Sequence, residues 1–147
     1  MIVLYIYTLL IAFIHALEEL EIEGKTKHGW ARNLPTVRFY NKFTELLVGK
    51  ELTMYHIFLM LRLFLLYHLI FIFHPWTIKL EAIILSNITF YLLFEDFMWF
   101  ICNPKFRFTQ FKQKYISWHK RWFWGLPYTY WWGLIIGISL LICGGVK

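Results

Sequence analysis

Charge is scarce in this sequence. Asp, Glu, Lys and Arg together make up 16% of the residues, against about 25% in an ordinary soluble domain. Acid is the scarcer sign: 9 Asp and Glu face 15 Lys and Arg, for a formal net charge of +6. The basic residues flank apolar runs, which points to anionic lipid headgroups as their partners and not to nucleic acid. Cysteine is almost absent. Cys102 and Cys143 end different apolar segments, so no disulfide framework is indicated, and each reads as small apolar filler. No H-E-x-x-H, Walker loop, G-x-S-x-G or C-x-x-C occurs, nor the repeated His boxes of membrane desaturases. The first segment lacks the basic leader and small-x-small site of a cleaved signal, so it reads as a retained helix.

Apolar and aromatic side chains are what the chain has instead. They reach 59% and 22% of the sequence, with 15 Phe, 9 Tyr and 8 Trp, and the mean hydropathy is +0.52. One soluble domain of 147 residues has too little interior to hide this much apolar surface, so lipid is the expected solvent. The expected fold is an all-α integral membrane protein, a single domain over 1–147. It comprises four transmembrane helices at about 1–23, 52–73, 78–101 and 126–143, plus an interfacial amphipathic helix at about 106–124.

Local signals set these bounds. The first apolar run, Met1–Leu17, is short for a span and extends through the acidic stretch Glu18–Glu23 to Gly24. His74-Pro75 closes the second segment and Asn103-Pro104 the third. A short helix is expected over Val37–Leu47 from its apolar spacing. Phe108, Phe111, Tyr115, Trp118, His119 and Trp122 recur at helical spacing, with Lys112, Lys114, Lys120 and Arg121 mostly off that stripe. Tyr128, Tyr130, Trp131 and Trp132 read as an aromatic belt at the start of the last span.

Positive charge orients the spans. Six Lys and Arg lie between the first and second, and six between the third and fourth, against Lys79 and Lys147 on the other side. Both termini are therefore expected outside and both large connections in the cytoplasm. The connection 102–121 contains no acid, which suits it to anionic lipid or another polyanion.

This topology gathers polar residues at the cytoplasmic membrane end. His15, Glu18 and Glu19 share one face of the first helix. His56 lies one turn into the second, and Glu95 and Asp96 near the end of the third, with Trp118-His119 below them. Charge inside a bilayer costs about 2.5–3.5 kcal/mol for Asp at mid-helix, and adjacent acids repel, so the group needs protons, basic partners or a cation. The candidate metal ligands are His15, Glu18, Glu19, His56, Glu95, Asp96 and His119, with Glu95 and Asp96 also candidate acid–base groups. This imidazole–carboxylate mixture suits Zn, Fe or Mn. The E-x-x-H pairs of soluble two-metal bundles are missing; His15-Ala-Leu-Glu18 has the order reversed.

The same residues have a plainer reading, in which Glu95 or Asp96 pairs with Arg62, His15 bonds Glu95, and Glu18 and Glu19 pair with Lys25 or Lys27. His68 and His74 read as interfacial or core histidines, and Asn87 as an interhelical hydrogen-bond donor. The Gly29–Thr36 loop is positioned to cover the cluster. Three function classes follow. One is a metal-dependent membrane enzyme acting on a lipid or isoprenoid, with the basic connection holding a phosphate headgroup. Another is an accessory subunit beside other membrane subunits, with Arg62 facing a partner. The third is proton or cation transport.

Overall fold

The computed structural model describes residues 2–23, 25, 29, 31–42, 44 and 51–145. It is mostly helical. Four long helices, α1 (Ile2–Glu23), α2 (Met54–His68), α3 (Ile78–Cys102) and α4 (Tyr128–Cys143), run up and down. A 3-10 turn, Leu69–Ile72, prolongs α2. Among the described residues three helical stretches are long and apolar enough to cross a membrane: Ile2–Glu23, Met54–Ile72 and Ile78–Cys102. The fourth, α4, is apolar but shorter, at 16 residues.

Capping sets where the helices start. The α2 helix begins at Met54, two residues after the expected Leu52, because the Thr53 hydroxyl accepts the His56 N–H at 3.2 Å. Thr77 caps α3 in the same way through Leu80 N–H, with Glu81 in the first turn. Asn103-Pro104 stops α3 one residue past the expected end.

The helix α3 is the axis of the bundle, with 44% of its apolar window buried against 17% for the α2 stretch. Small residues let its neighbours approach. On α1, Ala12 and Ala16 are fully buried, one in each of the two core clusters that α1 and α3 share. On α4, a Cβ added at Gly133 would stand 2.8 Å from Leu93, and one at Gly137 3.0 Å from Phe90. Polar ties reinforce the packing. Ser86 Oγ donates to Gly137 O at 2.8 Å, and Thr8 Oγ1 to Asn87 Oδ1 at 2.8 Å, with Tyr67 Oη also 2.8 Å from Thr8. Asn87 thus accepts between helices, while its amide donates to Ile83 O of its own helix. At the far end His68 and Trp76 both contact the Glu81 carboxylate, so His68 has an acid partner the sequence reading did not assign.

Two connections differ from expectation. Residues 106–124 do not form a helix. They hold one 3-10 turn, Phe108–Gln110, and then a hairpin of β3 (Trp122–Phe123) with β4 (Leu126–Pro127). The reason is tertiary. The Phe106 and Trp118 rings stand 6.1 Å apart, whereas an α-helix would separate residues twelve apart by about 18 Å. Folding back lets Phe106, Phe111, Trp118 and Trp122 pack on Trp99, Phe100 and Ile116, which a single helical stripe cannot do. The hairpin turn has positive φ at both central residues, Trp124 (46°) and Gly125 (78°), as a tight two-residue turn requires.

In the other connection, β1 (Arg38–Phe39) pairs antiparallel with β2 (Leu52–Thr53), so the expected helix over Val37–Leu47 does not begin at Val37. Asn41 Oδ1 accepts Thr44 N–H at 2.8 Å, which starts helical backbone at Lys42 instead. Residues 43 and 45–47 of that stretch, like Gly24, lie outside the described residues.

Candidate functional site

The end of the bundle that carries both connections holds a cavity of about 270 Å³. Five of the seven candidate residues line it: Glu19 from α1, His56 from α2, Glu95 and Asp96 from α3, and His119 from the second connection. His15 lies just behind, its Nδ1 3.9 Å from Glu95 Oε1 and its ring stacked on Tyr91. Glu18 does not join them. It is exposed on α1, because adjacent helical positions point about 100° apart and Glu19 takes the inward one.

The geometry is pairwise. Asp96 Oδ2 lies 3.2 Å from His119 Nε2 and accepts the Tyr130 hydroxyl at 2.5 Å. Glu19 Oε1 accepts the Tyr55 hydroxyl at 3.0 Å. His56 Nδ1 lies 2.5 Å from the Thr53 hydroxyl. No ion pair joins Arg62 to Glu95 or Asp96; it is exposed on α2. Among the described residues, Lys25 pairs with Glu21, not with Glu18 or Glu19. No group of three or more His, Cys, Asp or Glu side chains among the described residues stands in an arrangement suited to a metal ion.

The rest of the wall is aromatic and apolar. Trp99, Phe100 and Trp118 form the connection side, with Phe100 and Trp118 stacked at 5.8 Å and 7°. Leu59, Met60, Leu92 and Leu93 line the bundle side, and Gly133 of α4 completes it. Two buried donors in this wall, Trp99 Nε1 and Thr129 Oγ1, have no hydrogen-bond partner among the described residues. A buried polar atom left unpaired costs about 1–3 kcal/mol, so both suit a polar group entering the cavity.

Of the described residues of the first connection, Gly29 lines the cavity wall. Buried Glu23 holds that loop by accepting the Ala31 N–H, and Arg38 clamps it through Ala31 O and Glu51. The sequence reading missed Tyr55, Tyr130 and Glu23. Tyr130 is masked by the aromatic run around it, although a Tyr hydroxyl on a buried helix face needs an acceptor, and Asp96 was the available one.

No protein-family model matches this chain, and no similar curated protein or solved structure is found.

Proposed function

We propose that the chain is an integral membrane protein crossing the bilayer four times, with both termini outside and both large connections cytoplasmic. We further propose that its cavity is an acid–base site for a membrane-borne lipid or isoprenoid. Twelve of the 15 Lys and Arg fall on the two connections, which favours that orientation. The α4 helix is about 24 Å long at 1.5 Å per residue, about 6 Å short of the hydrocarbon thickness, a mismatch that local thinning of the bilayer accommodates, and Tyr128 and Trp132 sit at its interfacial end.

The observation that carries the reading is the convergence of Glu19, His56, Glu95, Asp96 and His119 on one cavity, from three helices and a connection. Intramembrane charge is costly, and a carboxylate–imidazole–phenol arrangement beside an open space is what proton transfer requires. An ionised Asp96 only accepts hydrogen bonds, so it holds the His119 ring by its Nε2–H. His119 then takes or returns a proton. The Trp99 and Thr129 donors hold the polar group of the substrate, and Leu59, Met60, Leu92 and Leu93 hold its chain.

The test is turnover. Purified full-length protein in nanodiscs of total polar lipid is followed by lipid mass spectrometry, beside Asp96→Asn and His119→Gln of matched thermal stability. One lipid class should change with the wild type only. Identical lipid profiles in all three samples would sink the acid–base reading.

A second reading, an accessory subunit of a membrane complex, draws on α2. Its stretch is the least covered of the three long apolar ones, and Arg62 stands exposed upon it. Co-purification of a stoichiometric membrane partner that Arg62→Leu releases would favour it.

A further inference from the structure

Beside the cavity lies a second recess of about 510 Å³, lined by Arg32, Arg38 and Lys120, with Glu51 as its one acid among the described residues. The two spaces share Gly29 and Trp118 as a common wall. That wall is thin: a Cβ at Gly29 would stand 2.9 Å from Trp118 and 3.2 Å from Trp99, so only glycine fits between the two rings. The recess is charged by construction. Glu51 is bound by Arg38, which also donates to Ala31 O, and this fixes the guanidinium at the rim. Lys120 Nζ donates to the Tyr40 hydroxyl at 3.0 Å and lies 4.8 Å from the centre of that ring, which holds the ammonium in place. Arg32 is exposed at the same rim. Among the described residues three cations line the recess against one carboxylate, and the cations come from both connections, so they are brought together only when the two fold together.

We propose that this recess binds a phosphate group, held by Arg32, Arg38 and Lys120. Guanidinium and ammonium groups at one rim match the oxygens of a phosphate. The inference goes beyond the proposed cavity function, and the phosphate contacts stand on the recess alone.

The test is calorimetric titration of the full-length protein in detergent with dihexanoyl phosphatidic acid, dihexanoylglycerol and inorganic phosphate. Wild type is compared with Arg32→Gln and Lys120→Gln, whose side chains are exposed, and with Asp96→Asn. Phosphatidic acid should bind saturably, about tenfold more weakly in each recess variant, the size of one charge-assisted hydrogen bond. Dihexanoylglycerol should be indifferent to both. Inorganic phosphate binding as tightly as the lipid, with the same residue dependence, identifies a soluble phosphate as the ligand; much weaker binding identifies the lipid. Equal affinity of the phosphate probes for wild type and both recess variants, or no saturable binding of either, overturns the inference. Asp96→Asn separates the two proposals. Phosphate binding retained there while turnover is lost upholds both. Turnover retained there, with phosphate binding still dependent on Arg32 and Lys120, overturns the cavity reading alone.

Discussion

Two polar groups are buried in the same bundle, and they are built differently. Thr8, Tyr67 and Asn87 meet near its middle, all neutral, joined by short hydrogen bonds, with Thr8 and Asn87 almost fully enclosed. Asp96, His119, Tyr130, Glu95, His15 and Glu19 meet at the connection end, ionisable and arranged around a cavity. The first arrangement consumes its own hydrogen-bonding capacity and leaves no space, which is what a tie between helices needs. The second keeps space beside charged groups and leaves the Trp99 and Thr129 donors unpaired among the described residues. Polar residues in an apolar helix are therefore not one category. One group is neutral and closed; the other is ionisable and open to a cavity.

Breaking the open group should have the largest effect on function. Asp96→Asn keeps the size of the side chain but removes the charge that holds His119, and lipid turnover should fall by about 10²-fold or more. Asp96→Ala should also lower stability by about 1–3 kcal/mol, because it strands the buried Tyr130 hydroxyl. Thermal denaturation in detergent measures the difference, and equal midpoints for the two variants would mean the Tyr130 bond carries nothing.

Next in size is packing unrelated to either polar group. Gly137→Leu drives a side chain into Phe90 and should destabilise by about 1–3 kcal/mol. A denaturation midpoint unchanged from wild type would show that α4 does not need its close approach to α3.

Breaking the closed group should be milder and confined to stability. Asn87→Leu should cost about 0.6–1.7 kcal/mol, the range found for hydrogen bonds between membrane helices, with phosphatidic acid affinity unchanged. A loss of affinity without a change in midpoint would erase the distinction between the two groups.

The smallest expected effect sharpens the comparison from the other side. Chelator treatment should leave turnover as it was, since no group of three or more His, Cys, Asp or Glu among the described residues is arranged for a metal ion. Plasma mass spectrometry finding one or two Zn, Fe or Mn per chain, lost in Glu95→Ala and His15→Ala, would replace the acid–base reading with a metal centre.

Much of the site was legible before folding. Helix periodicity alone puts His15 and Glu19 on one face of α1, and up-and-down connectivity brings them to the depth of Glu95, Asp96 and His56. Glu18 was not separable from Glu19 in this way, because one residue of helix rotation decides which of them faces the core. The partners were less legible than the charges. Tyr55, Thr53 and Tyr130 are ordinary residues until a specific approach of helices puts an acid or imidazole within reach. The stretch 106–124 misled because aromatic residues at helical spacing satisfy two solutions, a stripe along a helix or a folded cluster. Only the rings of Trp99 and Phe100 on α3 select the second.

The sequence by itself determined the apolar helices, their approximate ends and the side of the bundle where charge collects, because these follow from composition, periodicity and local breakers along a one-dimensional chain. The tertiary structure decided which carboxylate meets which donor, that the second connection folds back as a hairpin, and that a cavity and a basic recess share the wall of Gly29 and Trp118. The physical reason is range. Helix formation is set by neighbours within a turn, whereas a hydrogen bond at 3 Å between residues tens of positions apart exists only once packing has fixed both ends.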